Sequence, residues 1–111
     1  MQNRIKESDW KKFKELRPLA LQRYCDRVMH EVDNIIHDHT RDSHERYLQM
    51  YTIVRERDKT LARMFDGFSR SKALFQLVMY YGDELLSDEE IGQLSEETRE
   101  RIRSSLEIWK E

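Results

Sequence analysis

Four histidines, His30, His37, His39 and His44, fall within a 15-residue stretch that also holds several aspartates. Asp26, His30, Asp33 and His37 stand at i, i+4, i+7 and i+11, which on a helix places them within about 60° of one another. Imidazole and carboxylate that converge on one point can hold a divalent metal, and i, i+4 pairs supply two ligands. A complete site needs a third or fourth ligand from another element. Neither His-Glu-x-x-His nor Glu-x-x-His occurs, so the signatures of zinc-protease and di-iron chemistry are missing. The expectation is a solvent-exposed, metal-free face with Asp–His pairing along the helix. A metal-binding protein built on this stripe is an alternative.

Asp58 is the second candidate. Tyr47, Tyr51, Val54, Asp58, Leu61, Phe65 and Phe68 recur at spacings of 4, 3, 4, 3, 4 and 3, a heptad seam with one acid in it. A carboxylate buried there must be hydrogen-bonded, paired or protonated. In an antiparallel hairpin that turns near residues 41 and 42, Asp58 lies opposite Cys25 and beside Tyr24, with Arg17 a further candidate partner. Redox or acid–base work is one reading of an acid beside a thiol. A specificity residue that fixes register or partner choice is the preferred one. Cys25 on an apolar face reads as packing.

Residues 1–23 carry seven Lys or Arg against three acids, and residues 83–111 carry ten acids against four bases. Arg55, Arg57, Lys59, Arg63, Arg70 and Lys72 make a second basic stretch, diluted by Glu56, Asp58 and Asp66. Aromatic side chains stack nucleic-acid bases only where they are exposed beside such cations. A nucleic-acid-associated accessory protein using segments 1–23 and 55–72 is therefore the other alternative. The net charge of −2 gives no global pull toward nucleic acid, which makes that partner the less favoured one. There is no Gly-rich phosphate loop, nucleophile elbow or cysteine pair. No catalytic, cofactor-binding or metal residues are assigned, no cofactor is implied, and an enzyme is not expected.

The elements that must carry these groups are helices. Three Gly and one Pro in 111 residues offer few breaks, and 38% charged residues of both signs favour long helices with charged outer faces. Ser8 or Asp9 can cap a short helix through Trp10, Phe13 and Leu16, which Arg17-Pro18 interrupts. Leu21, Cys25, Val28, Val32, Ile35 and His39 form a heptad seam on the next helix, widened by Tyr24, Met29 and Ile36. The polar stretch Thr40 to Ser43 joins it to the Asp58 seam, and two seams so joined predict an antiparallel hairpin. The phase slips at Gly67, Ser69 and Ser71, which predicts a bend or break before an apolar helix from about Lys72 to Tyr81, ended by Gly82. Ser87 to Glu90 is a capping box opening a short helix. Ser95 caps a last helix whose stripe is Ile102, Leu106 and Trp109.

The stretch from Ser8-Asp9-Trp10-Lys11-Lys12-Phe13 through Arg17-Pro18-Leu19-Ala20-Leu21 to Tyr24-Cys25 resembles the opening of an uncharacterised family of small all-helical bacterial proteins. The resemblance extends to the regions of Glu45-Arg46-Tyr47 and Glu56-Arg57-Asp58. It implies a bacterial, cytosolic origin and carries no activity or site residues.

The expected fold is thus all-α: a single domain over residues 1–111, a compact helical bundle of five to six helices built on a long antiparallel hairpin. The expected function is a non-enzymatic protein–protein interaction module that self-associates as a homodimer. A single cysteine, and an opening without a signal-like apolar run, place the expectation in the cytoplasm. No apolar run is long enough to span a bilayer.

Overall fold

A computed structural model describes residues 4–110, with side chains through residue 108. It contains five helices, α1 (Glu7–Ile36), α2 (Ser43–Phe65), α3 (Arg70–Gly82), α4 (Asp88–Ile91) and α5 (Glu96–Lys110), and no strand among the described residues. The all-α class follows from the composition. The chain forms two compact units: the described residues up to Leu21 together with those from Gly67 onward, and Gln22–Asp66.

The first unit is a small helical bundle. Phe13, Leu16 and Ala20 extend the buried edge of α1 that begins at Ile5, and Ala73, Leu77, Val78 and Tyr80 bury the inner side of α3. Helix α3 packs on α5. Gly82 serves that packing, because a Cβ there would stand 2.9 Å from Leu106 Cδ2. Gly82 is the last residue of α3, and the left-handed backbone that a terminal glycine is expected to supply falls instead on Glu84, at φ 60°. Leu85, Leu86, Ile91 and Leu94 bury the chain around α4, which opens on the expected Ser87–Glu90 capping box. Ile102 is buried and Leu106 half-buried, as the α5 stripe requires. The side chain of Trp109 lies outside the described residues.

Pro18 does not interrupt the first helix. Helix α1 runs through it for 30 residues. Proline removes the N–H that would bond the Lys14 carbonyl, but Lys14 and Pro18 are both exposed, so water can solvate that carbonyl. Phe13, Leu16 and Ala20 keep the opposite side of the same turns packed.

The second unit is the antiparallel hairpin of the C-terminal part of α1 with α2. Contacts run in opposite order along the two helices: the Tyr24 hydroxyl donates to the Arg57 carbonyl at 3.0 Å, Glu31 pairs with Arg57, and Arg46 donates to the Ile36 carbonyl. Asp42 caps α2 in a reciprocal box with Glu45. Helix α2 ends at Phe65, short of Phe68, and the chain breaks at Gly67, whose φ is +82°.

Candidate interaction surface

The hairpin pairs in nearly the register read from the sequence; α1 keeps Leu21, Val28, Val32 and Ile35 of its expected seam half-buried, but α2 is turned away from most of its own. On α2 the half-buried residues are Arg46, Gln49, Met50, Ile53, Arg57, Thr60, Leu61 and Ala62, leading to buried Met64. Tyr47, Tyr51, Val54 and Asp58, each one position after a member of that set, are exposed. One residue is about 100° of helix rotation, so most of the expected seam lies outside. On α1 the inward edge is Tyr24, Val28, Glu31 and Ile35, while Cys25, Met29 and Ile36 are exposed. They too follow inward residues by one position. A right-handed step of one residue leads to the same side of both helices when they run antiparallel. The exposed residues of α1 and α2 therefore share one face of the hairpin.

That face is large for a surface left to water. Tyr47 and Tyr51 are 60% and 59% exposed, Met29 67%, Val54 46% and Ile36 45%. With fully open large side chains at roughly 150–250 Å² each, it amounts to roughly 500 Å² of mostly apolar surface, the size of the largest such patch on a typical monomer. The hairpin's other side carries an open groove of about 360 Å³ lined by Ile35, Leu48, Gln49, Thr52 and Ile53.

Inside the hairpin one tie is an ion pair. Arg57 grips Glu31 with two hydrogen bonds, each 2.9 Å. The hydrogen bonds and charge of Arg57 hold the Glu31 carboxyl below its ordinary range despite partial burial. Asp58, one residue on, is exposed, which corrects the expectation of a buried acid facing Cys25. Cys25 is itself an exposed free thiol. Asp26, His30, Asp33 and His37 are exposed as expected, and His37 Nδ1 lies 3.2 Å from Asp33 Oδ1. Among the described residues no three His, Cys, Asp or Glu side chains gather where they could hold a metal ion.

The buried acid is Asp9. It was a candidate cap for its own helix, but it sits in the first turn of α1, only 2% exposed, and reaches the start of α5. Its carboxylate accepts from the Ser95 N–H at 2.8 Å, from Ser95 Oγ at 2.6 Å and from Thr98 Oγ1 at 2.6 Å. Burial pushes the carboxyl up, but the bonds from Ser95 and Thr98, with the charge of Lys6, outweigh it and hold it below the ordinary range. Asp9 is thus an ionised cap supplied to one helix by another. The signal lay in the sequence, since Asp9 falls between Ile5 and Phe13 on the buried edge of α1.

The basic segments meet aromatic rings in the first unit. Trp10 and Phe68 lie 5.1 Å apart between centroids, Lys14 Nζ stands 5.4 Å from the Trp10 centroid and the Arg17 guanidinium 5.2 Å from that of Phe68. Phe13 stacks against Trp10 and Tyr80 beneath them. Burial lifts the Tyr80 hydroxyl to about 12, with Arg17 opposing that rise.

Comparison with protein-family models, curated proteins and solved structures finds no match to this chain. No helix among the described residues is long and apolar enough to cross a membrane.

Proposed function

We propose that this chain is a non-catalytic helical interaction module that acts through protein contacts and self-associates through the open face of its hairpin. The observation that carries this reading is the coincidence of Met29 and Ile36 with Tyr47, Tyr51 and Val54 on one side of two antiparallel helices. A second copy fits that face because the same stripe on both partners is self-complementary about a two-fold axis, and two hairpins joined so make a four-helix bundle. Two such faces would bury about 1,000 Å², the lower bound for a specific contact. The exposed single thiol of Cys25 suits a reducing cytoplasm.

Sedimentation velocity over a concentration series tests this. Wild type should move from monomer to dimer in the micromolar range, and Tyr51→Asp should stay monomeric with its helical circular dichroism intact. A wild type that stays monomeric throughout, or a Tyr51→Asp variant that dimerises equally well, would overturn it.

A further inference from the structure

Phe68 is 55% exposed although it rests on Trp10 and carries the Arg17 guanidinium. An aromatic ring left open beside cations differs from the apolar face of the hairpin, which has no cations among its central residues. Lys14 is exposed over Trp10, and neither it nor Lys72 has a carboxylate within ion-pair distance among the described residues. Lys72 folds back along the 67–69 segment, with its Nζ 2.6 Å from where a Cβ on Gly67 would stand. The missing side chain at Gly67 leaves room for the Lys72 ammonium there. Arg70 adds a fourth positive charge, held by its Nε–H donated to the Ile5 carbonyl at 2.8 Å. Residues far apart in the sequence thus meet in one patch, Trp10, Lys14 and Arg17 of α1 with Phe68, and Arg70 and Lys72 follow Phe68 at the start of α3.

We propose that this patch binds single-stranded nucleic acid, stacking a base on the exposed part of the Phe68 ring while Lys14 and Lys72 meet the flanking phosphates. Rings bounded by cations match a ligand that alternates flat π faces with negative charge. An acidic peptide would use the cations and leave the rings idle. A duplex hides its base faces, and binding along its backbone calls for a longer track of cations than this patch offers.

Fluorescence anisotropy of a labelled oligothymidylate, titrated with the full chain at about 50 and about 200 mM salt, reads this directly. The expected result is binding at the lower salt that weakens at the higher. Phe68→Ala should weaken it by about fivefold or more. Lys14→Glu with Lys72→Glu should weaken it further and flatten the salt dependence. Circular dichroism of each variant confirms that the helices persist. The proposal is overturned by absence of binding at low salt, by variants that bind like wild type, by equal binding of a duplex of the same length, or by a polyglutamate peptide that displaces the strand as well as unlabelled oligothymidylate does.

Discussion

The two units of this chain use the same residue types in opposite ways. In the first, apolar side chains from α1, α3 and α5 are buried, and the acid among them, Asp9, is satisfied by three hydrogen bonds. In the hairpin, only Tyr24, Met64 and Phe65 are buried, all toward one end, while Glu31 and Arg57 occupy the inward positions and the tyrosines of α2 face out. Burial of apolar area drives folding at about 25 cal/mol per Å². A helix pair whose inward apolar residues are only half-buried around a salt bridge therefore gains less from its own closure than the first unit does. The first unit buries its apolar side chains, while the hairpin leaves several of its large ones open.

The largest effect should come from the first unit's core. Phe13→Ala removes a fully buried ring stacked between Trp10 and Tyr80, and should cost about 3–5 kcal/mol in chemical denaturation. A loss below 1 kcal/mol would erase the contrast between the units. Asp9→Ala comes next, at about 2–4 kcal/mol, because it strands the Ser95 and Thr98 hydroxyls and uncaps α5. The pH dependence has a definite sign. The folded-state carboxyl is held low, so its stabilisation is complete above the unfolded value near 4 and is lost as pH falls through the lower folded value. Asp9→Asn should flatten the acid limb of the stability curve below about pH 4. An unchanged limb would remove Asp9 from the account.

Pro18→Ala should raise stability by about 1–3 kcal/mol, since it restores a backbone hydrogen bond to Lys14 in a helix that is already continuous. A decrease would mean that the ring makes a contact of its own. The smallest effects belong to the hairpin's polar positions. Glu31→Gln should cost at most about 1 kcal/mol, as a partly exposed pair does, and Asp58→Asn should stay within about 0.5 kcal/mol. A large loss at Asp58 would restore the buried seam that the exposed position excludes.

Local signals were legible in the sequence wherever they were short-ranged. The capping box at Ser87, the break at Gly67 and the burial of α3 all follow from residues within one or two turns. The hairpin register was nearly legible too, with Tyr24 meeting Arg57 where residue 58 was expected. The rotation of α2 was not, because it carries two apolar stripes a single residue apart. Met50, Ile53 and Met64 compete with Tyr47, Tyr51 and Val54, and periodicity alone favours the bulkier set. The principle that an acid in an apolar stripe must be satisfied was sound, but it applied to Asp9 and not to Asp58. Asp9's partners lie 86 and 89 residues away, beyond the reach of any helical spacing. The patch of Trp10, Lys14, Arg17 and Phe68 was hidden for the same reason, although both basic segments that build it were visible.

Hydrogen exchange read by mass spectrometry at low and high protein concentration tests the contrast most directly, because it reports both units in one sample. Peptides from residues 46–58 should gain protection as concentration rises through the dimerisation range, while peptides from residues 73–80 keep the same strong protection throughout. Protection of residues 46–58 that does not change with concentration, already matching that of residues 73–80, would contradict the account.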